Sequence, residues 1–152
     1  MNAKIENATF HLIGLTGKSL FKDFGHEVPS LASKFLGKIS EIPIHTGIEA
    51  GIYEPYDDTK PEGIFHVGVL TGERPSSVPD GFTLIEVSGR YAVGTGKMDR
   101  IREVHQQLND WIISKGHIRM NKDYIIETYH PEPDGERVTV YLPLQLRNQI
   151  ND

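Results

Sequence analysis

The chain contains no cysteine, which excludes disulfide cross-links, thiolate catalysis and Cys-ligated zinc or iron–sulfur sites. Long hydrophobic runs are also missing. No stretch approaches the ~20 apolar residues of a membrane helix, and the opening Met1-Asn-Ala-Lys-Ile-Glu6 has no apolar run like that of a signal peptide. There is no excess of positive charge: 16 Lys and Arg stand against 21 Asp and Glu, a formal net charge of −5. The basic residues are scattered, so the electrostatic footprint of a nucleic-acid binder is absent. These absences predict a cytoplasmic protein with no membrane span and no direct nucleic-acid contact. The mild acidic excess favours cationic partners, though only weakly.

What remains is ordinary globular composition, 38% hydrophobic and 24% charged in 152 residues. A chain of this length suits one domain over residues 1–152, able to bury roughly two-thirds of its unfolded surface. Within it one unit is written twice. Gly51-Ile-Tyr-Glu-Pro-Tyr-Asp-Asp58 aligns with Glu127-Thr-Tyr-His-Pro-Glu-Pro-Asp134, so that Tyr53 falls on Tyr129 and Pro55 on Pro131. The pseudo-repeat halves span about 1–72 and 80–146, joined by the Gly-, Pro- and Ser-rich loop Thr71–Gly81.

Each half reads as β-α-β-β. Strands are expected over 10–15, 48–53 and 64–70, with a helix over about 28–39 in which Leu31, Phe35 and Ile39 recur at four-residue spacing. Pro29 suits the first turn of that helix, where a missing N–H has no consequence. In the second half Phe82 to Val93 reads as a strand or bulged hairpin, broken by Gly94-Thr-Gly96. A helix from Met98 to Ser114 follows, with Ile101, Val104, His105, Leu108, Trp111 and Ile112 on one face. Strands over 124–129 and 138–144 close the unit. In the last strand Val138, Val140, Leu142 and Leu144 share a face, and Thr139 and Tyr141 share the other.

Glu127 is the leading candidate for chemistry, because the second copy carries a carboxylate where the first carries Gly51. Set among Ile125, Ile126 and Tyr129, it is expected to be partly desolvated, which raises a carboxyl pKa until a cation offsets the burial. The alternative is a strand-end glutamate paired with Arg137. Tyr53, Tyr91, Tyr129, Tyr141 and Trp111 are the aromatic candidates, since a π face contributes roughly 0.5–2 kcal/mol to a bound cation. Trp111, on the apolar helix face, suits the core better than a pocket. The seven histidines show no HxH or HExxH spacing, so no metal site is expected, and His105 reads as a hydrogen-bonded core residue. Gly94-Thr-Gly-Lys97 lacks the full phosphate-loop pattern, and no nucleophile elbow or Ser-His-Asp order is present. No cofactor is expected.

Several stretches resemble the gyrase-inhibitor-like small-molecule-binding family, the effector-binding module of AraC-type and MerR-type bacterial transcription regulators. They are Val78-Pro-Asp-Gly-Phe82, Gly89-Arg-Tyr-Ala-Val93, Ile101 through Ile112, Tyr124-Ile-Ile-Glu-Thr-Tyr129 and Val140-Tyr-Leu-Pro-Leu144, with weaker matches at Gly51-Ile-Tyr53 and Val67-Gly-Val69. The resemblance implies an α+β fold: duplicated β-α-β-β units forming a curved antiparallel sheet, two helices on one face and a ligand cleft on the other. It implies a hydrophobic, cationic aromatic ligand met by Glu127, with Tyr91 and Tyr141 as walls. With the aliphatic face of the last strand under the helices, Tyr141 would face that cleft. No room is left for a helix-turn-helix, so a stand-alone effector-binding protein is expected. Two alternatives remain open: hydrolysis of cyclopropane-containing toxins using Glu127, with a Tyr hydroxyl as acid, and inhibition of a protein partner such as gyrase.

Overall fold

The computed structural model describes residues 2–146. The element order repeats: β1 (Lys4–Leu20), α1 (Phe24–Leu36), β2 (Glu49–Tyr53) and β3 (Glu62–Thr71), then β4 (Thr83–Lys97), α2 (Ile101–Ser114), β5 (Ile125–Glu132) and β6 (Gly135–Leu144). All strand pairs are antiparallel, and the sheet curves until it closes in the order β1-β3-β2-β5-β6-β4. The fold is the expected α+β arrangement, with both helices on the outer face of the curved sheet.

Strand alternation sorts the side chains into three apolar groups. Phe10, Leu12, Ala50, Ile52, Tyr91, Val93 and Ile126 point into the curve. On the outer face Ile13, Phe65, Val67 and Val69 lie under Phe35 of α1. Val138, Val140, Leu142 and Leu144 lie under Val104, Leu108 and Ile112 of α2. The aliphatic face of β6 is thus covered by a helix, as its pattern predicts.

Several boundaries differ from the sequence reading: β1 runs well beyond the expected 10–15, α1 ends at Leu36 and not at Ile39, and β5 extends to Glu132. Gly94-Thr-Gly96 does not break β4, because these residues pair with Val140, Thr139 and Val138 of β6. At Gly96 a Cβ would lie 2.6 Å from a Val104 methyl, so the glycine is there for helix approach and not for a turn. Helix α1 starts at Phe24 and not near Val28, which leaves Pro29 inside the helix. The early start follows from an aromatic cluster, with the Phe24 ring 5.3 Å from Phe21 and 5.2 Å from Phe65 between centroids.

Candidate functional site

The two halves meet where β2 pairs with β5. Gly51 lies directly opposite Glu127 there, with Tyr53 opposite Ile125 and Glu49 opposite Tyr129. Residues facing each other across a ladder share a face. Val140, across from Glu127 on the other side, lies under α2, so Glu127 also points to the helix side.

Three donors converge on its carboxylate. Tyr53 Oη donates to Oε2 at 2.6 Å and Tyr129 Oη to Oε1 at 2.7 Å. His105 Nε2, from α2, lies 2.7 Å from Oε2. The two tyrosines are the pair aligned by the internal repeat, and they reach one acid from both sides. Gly51 makes this possible: a Cβ there would sit 3.1 Å from the Tyr129 hydroxyl.

Glu127 is only 6% exposed. Burial pushes its carboxyl pKa up, but the hydrogen bonds from His105, Tyr53 and Tyr129 outweigh it, and the net shift is downward. The sequence expectation of a raised pKa is therefore corrected. Desolvation was anticipated, while the donors Tyr53 and His105, which come from other elements, were not. Burial, and then the charge of Glu127, pushes both phenols well above the ordinary tyrosine range, so they stay protonated donors. Behind His105 the network continues: Asn109 Nδ2 donates to the His105 carbonyl at 3.1 Å, and Arg119 Nη1 donates to Asn109 Oδ1 at 2.7 Å.

Above Glu127 a cavity of about 480 Å³ opens between the helices. Phe24, Val28, Pro29 and Ala32 of α1 form one wall, Ile101 at the start of α2 and Met98 in the turn before it the other, and Tyr53 and Tyr129 the floor. Glu49 and Glu136 also line it. Burial, and next the charge of Glu136, raises the Glu49 pKa.

Glu127, Tyr53 and Tyr129 are thus brought together, and the other candidates are not. Tyr91 and Tyr141 lie inside the curve of the sheet, edge-on to each other and to Phe10, with centroids 4.9–6.0 Å apart. Tyr141 does lie opposite the aliphatic face, but Glu127 shares the aliphatic side, so the two point apart. A second cleft of about 560 Å³ has no helix residue in its walls and includes Gly89, Tyr91 and Pro143, yet Glu127 does not face it. Trp111 packs against the apolar group under α2 and stacks near His117, 5.9 Å between centroids. Arg137 pairs with Glu132 and not with Glu127. Sequence reasoning missed His105 as a partner of Glu127, and Glu49 and Glu136 altogether. The alternation that places Glu127 with Tyr129 could have found Glu49, two residues before Gly51.

A curved six-stranded sheet, two helices astride one buried acid and an apolar cavity above it define an effector-binding fold. The sequence matches the model of the Cass2 family, the integron-associated effector binding proteins, over residues 5–144, and the chain belongs to that family. No curated protein matches it closely enough to count as a relative in sequence. Among solved structures it is similar to SAV2435 bound to tetraphenylphosphonium, at 11% identity and a TM-score of 0.73, covering 95% of this chain and 94% of that one. It is also similar to an integron cassette protein from the mobile metagenome of Vibrio cholerae, at 16% identity and a TM-score of 0.64, covering 94% and 95%. The C-terminal domain of EcmrR follows at 13% identity and a TM-score of 0.55, covering 95% and 99%. Likeness at these identities is likeness of fold.

Proposed function

We propose that the protein binds a hydrophobic, cationic aromatic small molecule in the cavity between α1 and α2. The carrying observation is the buried Glu127 carboxylate, held in its charged form beneath walls that are otherwise largely aliphatic and aromatic. A lipophilic cation matches both features, because it buries its rings against the walls while its charge answers the carboxylate. That SAV2435, of the same fold, has been seen with tetraphenylphosphonium supports the reading.

Hydrolysis through Glu127 has less support. A carboxylate whose pKa is depressed is a weak general base, and both neighbouring hydroxyls already donate to it.

The test compares methyltriphenylphosphonium with neutral triphenylphosphine oxide by thermal shift and calorimetry. At about a hundred times its Kd, a ligand adds roughly 2.7 kcal/mol to stability. The wild type is expected to gain that from the cation, and Glu127→Gln to lose most of the gain while keeping any binding of the neutral analogue. Equal loss for both compounds would refute charge recognition.

A further inference from the structure

Three carboxylates line the cavity between the helices, Glu127, Glu49 and Glu136, and among the described residues no lysine, arginine or histidine does. Glu127 is answered by three donors. Glu49 and Glu136 are answered by none: neither makes an ion pair or a side-chain hydrogen bond among the described residues. Their neighbours Glu132 and Asp134 in the β5–β6 hairpin are held by Arg137 and Lys97. The strand register sets the order of the three acids. Gly51 is level with Glu127, so Glu49 stands two residues along β2, about 7 Å from that level. Val140 is level with Glu127 and Glu136 with Pro131, so Glu136 stands four residues along in the same direction, about 13 Å away. Tyr129 lies between these levels. Burial, and then the charges of Glu127, Glu136 and Glu49, push its phenol up.

Like charges left together beside an apolar space repel, and a cation entering that space relieves them. A guest with one charge answers Glu127 and leaves Glu49 and Glu136 unpaired. A guest with two charges at opposite ends of a flat frame answers both levels at once. Its rings lie between Phe24 and Val28 on one side and Met98 and Ile101 on the other. A rigid frame holds the charges apart without an ordering cost on binding. We propose that the cavity takes an elongated aromatic dication, with one charge at Glu127 and the second between Glu49 and Glu136, toward the β5–β6 turn. This rests on the binding reading above and adds a second charged subsite to it.

The experiment measures Kd by calorimetry at about pH 8, above the carboxylate range, for two compounds of nearly the same biaryl shape. 1,1′-Dimethyl-4,4′-bipyridinium carries two charges and N-methyl-4-phenylpyridinium carries one. The wild type is expected to bind the dication at least about tenfold tighter, equivalent to about 1.4 kcal/mol, although its second charge makes it the harder of the two to strip of water. Glu49→Gln combined with Glu136→Gln should abolish that advantage, with a smaller loss for the monocation, whose residual binding reports that the variant is folded. Glu127→Gln should weaken both compounds. Glu41→Gln combined with Glu62→Gln makes the same change in net charge at exposed positions outside the cavity, and should keep the preference. Equal affinities in the wild type, or a preference for the monocation, overturn the second subsite and leave the binding reading intact. A preference that survives loss of Glu49 and Glu136, or that falls equally in the Glu41 and Glu62 control, also overturns it. Binding of methyltriphenylphosphonium but of neither biaryl overturns the dication alone. Failure of all three cations to bind the wild type removes the binding reading, and the second subsite with it.

Discussion

At the scale of single residues, the site depends on how one carboxylate is kept ionised away from water. Tyr53 and Tyr129 do much of this, and their contribution has a sign. Glu127 is held below its ordinary pKa in the fold. Its network therefore stabilises fully above the unfolded carboxyl pKa of about 4.3, and the stabilisation is lost as pH falls through the folded value. Replacing both tyrosines by phenylalanine leaves the acid buried with fewer donors. Urea unfolding of the double variant is expected to show a loss of about 1–3 kcal/mol at pH 7 that shrinks toward pH 3. An equal loss at both pH values would mean that the hydroxyls do not stabilise the charge. Glu127 itself was legible in the sequence because the repeat sets it against Gly51. Its depressed pKa was not, since two of its three donors, Tyr53 and His105, lie 74 and 22 residues away, and no local pattern encodes such approach.

At the scale of elements, periodicity revealed α2 and the buried face of β6, since a helix stripe and an alternating strand leave direct traces. It misjudged β4, where two glycines resemble a break but are paired in the ladder. Their role is steric. A methyl group on Gly96 would meet Val104 at 2.6 Å, so Gly96→Ala is expected to push α2 outward and to destabilise by about 1–3 kcal/mol. Adding Val104→Ala should recover part of the loss, so a double-mutant cycle by chemical denaturation should be strongly non-additive. Simple additivity would show that the glycine does not set the helix height. The start of α1 was missed for a related reason: Phe21 and Phe24 contact residues distant in sequence, and tertiary packing overrode the suggestion of Pro29.

At the scale of the whole molecule, the duplicated order of elements places Gly51 and Glu127 face to face at the centre of the sheet. The acid should then be portable between the halves. In Gly51→Glu combined with Glu127→Gly, a carboxylate still projects from the centre of the floor, but from β2. Preference for methyltriphenylphosphonium over its neutral analogue is expected to persist. Loss of cation preference as complete as in Glu127→Gln would show that the position on β5 is indispensable.

The Gly51–Glu127 pair also bears on how a guest is oriented. Two matching acids related by the approximate dyad would offer a singly charged guest two equivalent ways to lie between the helices, exchanged by a half-turn. Glycine in one copy removes that degeneracy. The cavity takes walls from both copies, but its buried central acid comes from one copy only, so on the binding reading proposed above a lopsided cation is expected to lie in a single sense.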